Sequence, residues 1–231
     1  AMRPNKKRRL ALGVAFLAIT LLAVGLWLGV QQPPSWYQPA QIEPGQYQTV
    51  RDDLEEAFNS FNLAVQRPEA FSYSLDQRRV NSWIAARQQI WPGLRRYIPA
   101  AIEQPMVRFH DGRIVVAGRV HAGPLRTVLS VRLAVEVIAQ GLWVRIERCQ
   151  LGWLPVPQAV VRRVLSSHLR HLRLADQRTI AALLDGLALP NEFQWRNGRR
   201  HFRLQRIDVQ DARLLLQVQP YQQNDLGRLW Q

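Results

Sequence analysis

His168 and His171 stand three apart in an amphipathic stretch, a spacing that can put two imidazoles on one side of a helix. A zinc site would need further ligands, and no carboxylate or cysteine lies beside them. Two histidines on an exposed basic face explain the pair. Ser166, Ser167 and His168 supply a nucleophile and a base by type. Adjacent helical residues point apart, however, so the proton-transfer geometry is missing. Asp52, Asp53, Glu55 and Glu56 offer paired carboxylates, but at a helix start such charges answer to the helix dipole. Cys149 is the single cysteine, which excludes an internal disulfide and a cysteine metal cage. The chain has no G-x-S-x-G, no H-E-x-x-H, no P-loop and no G-x-G-x-x-G. The expectation is therefore a protein that is not an enzyme, with no catalytic residue, no metal site and no cofactor.

Charge and aromatic residues point to binding instead. Lys and Arg number 31 against 17 Asp and Glu, a net charge of +14 that favours anionic partners. Residues 193–206 interleave Arg196, Arg199, Arg200, Arg203 and Arg206 with Trp195 and Phe202. This reads as a hairpin turned at Asn197-Gly198 with a basic face. Arg196, Arg199, Arg200 and Arg203 are the candidate patch for anionic head groups or an acidic partner. Among the eight tryptophans, Trp83, Trp91, Trp143, Trp153, Trp195 and Trp230 lie beyond the first forty residues. They would serve packing, or an apolar groove or partner surface.

The N-terminal segment decides among the partners. Arg3, Lys6, Lys7, Arg8 and Arg9 precede Leu10 to Val30, which carries no charge. As a helix that run spans about 31 Å, close to one hydrocarbon core. The basic flank predicts a cytoplasmic N-terminus, and Trp27, Trp36 and Tyr37 suit the outer interface. The run is long for a cleaved signal peptide, and no A-x-A pattern follows it. The expected layout is a basic segment (1–9), a transmembrane anchor (10–30), a Pro/Gln-rich stalk (31–46), an extracytoplasmic domain (47–221) and a tail (222–231). The expected location is the bacterial cytoplasmic membrane, single-pass, with the domain periplasmic or extracellular. Membrane lipids are then the expected partner, and nucleic acid is not.

Val50, Leu54, Ala57, Phe58, Phe61 and Val65 mark a first helix ending before Pro68. A short strand covers 71–75. Asp76 caps a second helix running to about Gln89. A hairpin then turns at Asp111-Gly112. Alternation over 125–137 predicts one long strand, and the next strand slips phase near Cys149. Val160, Val161, Val164, Leu165, Leu169 and Leu172 mark an amphipathic helix, and Asp176 could cap another. A strand pair turned at Gln210-Asp211 and closed by Pro220 ends the domain. The fold class is α+β, with a long curved antiparallel sheet packed on amphipathic helices.

Three stretches carry a family resemblance. Residues 71–84 (FSYSLDQRRVNSWI) look like a strand, an acidic helix start and an L/V-N-x-x-I opening. Residues 107–118 resemble a following hairpin, and Leu151-Gly-Trp-Leu-Pro-Val-Pro157 a G-x-L-P-x-P signature. Together these resemble the YpmS-type group of single-pass bacterial envelope proteins, similar in arrangement to the tubular lipid-binding (TULIP-like) domains. The resemblance covers about residues 50 to 220. It implies a curved sheet wrapping a helix around an apolar groove, and possible lipid binding; it carries over no catalytic residue.

The expected groove residues are Leu129, Val131, Leu133, Val144, Ile146, Leu214 and Leu216. The same apolar pattern would serve a filled core equally well. The leading expectation is a membrane-anchored module that binds a lipid or another hydrophobic ligand. The alternative is an accessory or scaffolding subunit of a membrane complex, with Gly13, Gly25 and Gly29 letting another helix approach the anchor.

Overall fold

The computed structural model describes residues 4–91, 102–122, 125–139, 141–163, 184–195 and 200–221. Its fold is α+β. Helix α1 (Pro4–Gln31) leads through a 3-10 turn (Pro44–Gln46) into α2 (Tyr47–Gln66). Strand β1 (Phe71–Asp76) runs directly into α3 (Gln77–Ile90). The strands β2 (Ile102–His110), β3 (Arg113–Ala122), β4 (Leu125–Ile138), β5 (Gly141–Leu151) and β6 (Leu154–Val156) follow as a meander. The chain closes with β7 (Leu187–Leu189), β8 (Phe193–Gln194), β9 (His201–Gln210) and β10 (Arg213–Tyr221).

The strands fall into two antiparallel sheets rather than one. The larger has the order β2-β3-β4-β5-β6, with β7 pairing the other half of β5. The smaller has the order β1-β10-β9-β8. The first strand after α2 thus pairs with the last strand of the domain, a pairing of distant segments that local alternation does not encode. In α1, the segment Val14–Gln31 has a mean hydropathy of 2.1 and is almost wholly exposed. It is long and apolar enough to cross a membrane.

Within residues 31–46 an aromatic pair packs on the domain. Tyr37 is only 7% exposed and packs with Met106, Ala117 and Val128 on one face of the larger sheet, with Trp36 beside it. Arg108 lies over the Trp36 ring at 5.5 Å, and the Tyr37 hydroxyl donates to the Gln104 carbonyl at 2.8 Å. Gln104 has φ 47, and the β2–β3 register shifts between Glu103 and Met106. This irregularity bends β2 around Pro105, so the strand begins before the proline instead of after it. The prolines keep the segment extended, and its aromatic residues hold it down.

The acidic run is also displaced. Because α2 starts at Tyr47, Asp52 to Glu56 lie beyond its first turn. They work laterally. Asp53 pairs with Arg79 at 2.7 Å and accepts the Trp83 indole N–H at 2.8 Å, joining α2 to α3. The Arg79 hydrogen bond, with the Trp83 donor, holds its carboxyl below the usual range. Asp76 does cap α3, accepting the N–H groups of Arg78 and Arg79 at 2.8 and 3.2 Å.

The outer edge of β2 is closed by side chains. Asn81 on α3 donates to the Val107 carbonyl at 2.8 Å and accepts the Val107 N–H at 2.7 Å. Gln77 accepts the Phe109 N–H at 2.6 Å. A buried amide therefore replaces the neighbouring strand, which quiets an edge that could otherwise pair with another chain. Asp111 and Gly112 both have positive φ, the geometry a two-residue hairpin turn requires.

The phase slip in β5 is a bulge at Glu147. The register jumps from Arg132 opposite Arg148 to Leu133 opposite Ile146, and β5 runs on to Leu151. The freed carboxylate reaches Arg113 at 2.7 Å and Arg145 at 3.2 Å. The Arg113 hydrogen bond, then Arg145, holds it below the usual glutamate range.

Two outcomes follow. Asn81→Ala leaves both Val107 backbone groups unpaired and should cost about 2–4 kcal/mol in urea unfolding. Glu147 has a lowered native pKa, so its stabilisation is present above the unfolded value near pH ~4.3 and disappears as pH falls through the native value. Thermal melts of Glu147→Gln should therefore show lower stability at neutral pH and a flatter loss below pH ~4.3.

Candidate functional site

Facing partners in an antiparallel pair share one side of the sheet. Val107 faces Val116, Val116 faces Val131, and Gly118 faces Leu129. The missing side chain at Gly118 leaves a gap over the middle of the sheet. Ile102 folds into it, and a Cβ on Gly118 would collide with the Ile102 side chain. Ile84 of α3 closes the other side. The result is an apolar pocket of about 290 Å³ lined by Ile84, Ile102, Val107, Val116, Leu129 and Val131. That is near the lower end of the small-molecule range of ~300–1,000 Å³.

The pocket lies next to the end of α1. Val120, on its wall, faces Thr127. The Thr127 hydroxyl donates to the Val30 carbonyl. The turn between β5 and β6 completes the seat. Gly152 has φ 59, and a Cβ there would collide with the Gly29 and Val30 carbonyls. Its N–H donates to the Val128 carbonyl at 2.8 Å. Leu154 and the Trp153 indole close over Gly29, which is buried although most of its helix is exposed. Glycine is needed at 152 for both the backbone angle and the close approach.

Only part of the expected groove comes together here. Leu129 and Val131 line the pocket. Val131 and Ile146 also pack against Cys149, Val161 and Leu184, where a helix described over 158–163 begins to cover the sheet. Leu133 faces Ile146, and Val144 faces Val135 and Leu187, further along the same side and beyond the pocket. Leu214 and Leu216 belong to the smaller sheet, facing Leu75 and Tyr73. Tyr73 meets Phe61 at 5.0 Å and donates to the Ala57 carbonyl at 2.9 Å, so that side is roofed by α2. Both leucines are half-buried on the smaller sheet, apart from this pocket, because β10 pairs with β1 and not with the meander. Ile84, Ile102, Val116 and Gly118 escaped the sequence reading because the pocket arises from a glycine gap and a bent edge strand.

Half of the expected arginine patch falls within the described residues. Arg196 and Arg199 lie outside the described residues. The Arg200 carbonyl accepts the Trp195 N–H at 2.8 Å, and Trp195 packs with Phe58, Phe61 and Phe202 under α2. Arg203 borders an open polar cleft of about 680 Å³ with Glu192 and Asn191. His168, His171, Ser166, Ser167, Asp176 and Trp230 also lie outside the described residues. Burial raises the Cys149 thiol pKa, which keeps reactive thiolate scarce.

One titratable cluster had no sequence signal, because its members sit on two distant hairpin turns. His110 Nδ1 lies 2.8 Å from Asp211 and its Nε2 lies 3.1 Å from Asp111. These three have ligand types and spacing that could hold a metal ion. As arranged, both ring nitrogens already face carboxylates. The Ala212 N–H donates to the Phe109 carbonyl at 3.0 Å alongside, so the cluster joins the two sheets. The hydrogen bond from His110 holds the Asp211 carboxyl below its usual range.

No family model, curated protein or solved structure matches the chain.

Gly152→Val should force α1 from its seat by steric collision and an unfavourable φ. The measurable outcome is faster proteinase K cleavage within residues 32–43; an unchanged cleavage rate would show that the seat tolerates a side chain.

Proposed function

We propose that the protein is a membrane-anchored, non-catalytic module whose domain lies outside the cytoplasm and binds the acyl chain of a lipid or a similar apolar ligand. The observation that carries this reading is the apolar pocket beside the seat of α1. Val120 on the pocket wall is one cross-strand pair from Thr127, which meets the helix end. Burial of methylenes at about 0.8 kcal/mol each drives acyl-chain transfer from water, but transfer from lipid gains little, so occupancy follows pocket fit. The basic N-terminal flank and the apolar helix support the topology. The YpmS-type resemblance belongs to the same proposal.

The accessory-subunit alternative has Gly13, Gly25 and Gly29 as the contact for another helix. Gly29 is taken by Trp153 and Leu154 of its own domain, while Gly25 has open space around it. That leaves Gly25, but not Gly29, open to another helix.

The test uses the full chain in detergent with a fatty acid bearing a diazirine near its chain end. Cross-links should map to residues 102–131. Val116→Trp, at an exposed pocket wall, should cut their yield about tenfold, equivalent to ~1.4 kcal/mol of lost contact. Adducts confined to α1 would overturn the pocket reading.

A further inference from the structure

We infer that the α1 end of the larger sheet rests directly on the bilayer surface and binds anionic lipid head groups through Arg126, with Trp153 at the level of the head groups. The inference rests on the membrane reading above and adds to it a contact surface, its partner chemistry and an orientation.

The geometry begins with slack. A semi-rigid stalk over 31–46 would lift the domain off the bilayer, whereas here the chain is held to the domain at two points, at the end of the apolar segment and soon after it. The Val30 carbonyl is bonded by Thr127, Gly152 abuts Gly29 and Val30, and the chain is pinned again at Tyr37. The apolar segment ends at Gln31. Whatever adjoins Gly29 and Val30 therefore adjoins the level where apolar helix gives way to head groups.

The residues at that level have the chemistry of an interface. Trp153 is 59% exposed although it is a large aromatic on a tight turn, and its indole lies against Gly29. Trp27, also exposed, lies within one turn of the same glycine on α1. Tryptophans from two distant segments thus meet the helix end together, as aromatic belts do. Arg126 is next to Thr127 and is exposed; among the described residues no acidic side chain pairs with it. Its cross-strand partner His121 faces Glu103 at 3.5 Å. An unpaired guanidinium beside a head-group level gains from anionic lipid and recognises phosphate through its planar donors. Exposed tryptophan with unpaired arginine beside the end of an apolar helix fits a lipid surface better than a soluble partner. The contact would also hold the Val120 and Leu129 side of the pocket at the interface.

The experiment uses the full chain in nanodiscs of phosphatidylcholine, with and without phosphatidylglycerol. Nitroxide labels are placed one at a time by Phe16→Cys, Trp153→Cys and Glu136→Cys; buried Cys149 is the unlabelled background. Collisions with oxygen and with a nickel chelate report depth. The expected result puts position 16 in hydrocarbon, 153 at the phosphates and 136 in water. Adding Arg126→Gln should abolish the deepening of position 153 that phosphatidylglycerol produces, and high salt should do the same. Position 153 in water while 16 is in hydrocarbon overturns the contact and leaves the anchor standing. Position 16 in water overturns the anchor itself. A phosphatidylglycerol effect that survives Arg126→Gln overturns the role of Arg126.

Discussion

The last turn of α1 has a problem common to every helix end: its carbonyls lack partners along the helix. Here the domain supplies them. A threonine hydroxyl meets Val30, a backbone turn presses on Gly29 and Val30, and the Trp153 N–H points at the Gly29 carbonyl at 3.5 Å. Much else depends on that seat. It fixes where β4 starts relative to the apolar helix and draws Trp36 and Tyr37 across the sheet. It also brings the pocket wall within one cross-strand pair of the helix end.

A second constraint is the management of edges. The meander leaves the outer edge of β2 without a strand, and Asn81 and Gln77 stand in for one. The smaller sheet repeats the device. Asn191 donates to the Leu204 carbonyl at 2.6 Å and accepts the Leu204 N–H at 3.0 Å. In both cases an asparagine makes the two bonds that an adjacent strand would make. The bond satisfies the backbone locally while leaving each sheet free to end there, so α3 and the 190s segment can pack against sheet margins.

Local features were legible in the sequence wherever one segment decides its own structure. The long alternation of β4, the Asp111-Gly112 turn, the Asp76 cap and the apolar run of α1 all fall in this class. The phase slip in β5 was visible too, two residues from the actual bulge. What could not be read were decisions made between segments. Nothing near Leu214 says that β10 will pair with β1, so Leu214 and Leu216 looked as if they shared a face with Leu129 and Val131. Nothing near Asp53 says that Arg79 will come alongside. Pro33, Pro34 and Pro39 do say that the chain is extended there, but not that Tyr37 will find Met106. The pocket belongs to the same class: Gly118 is a gap only once Ile102 and Ile84 arrive from elsewhere.

The placement of Cys149 gives the protein a built-in gauge. Its thiol lies beneath Val161 and Leu184, against Val131 and Ile146. An alkylating reagent can reach it only when the segment starting at 158 lifts from the sheet. In the limit of fast reclosing, the alkylation rate divided by that of a free thiol is the equilibrium constant for that opening. The unmodified chain thus reports its own breathing, at the layer that Val161 and Leu184 form over Cys149.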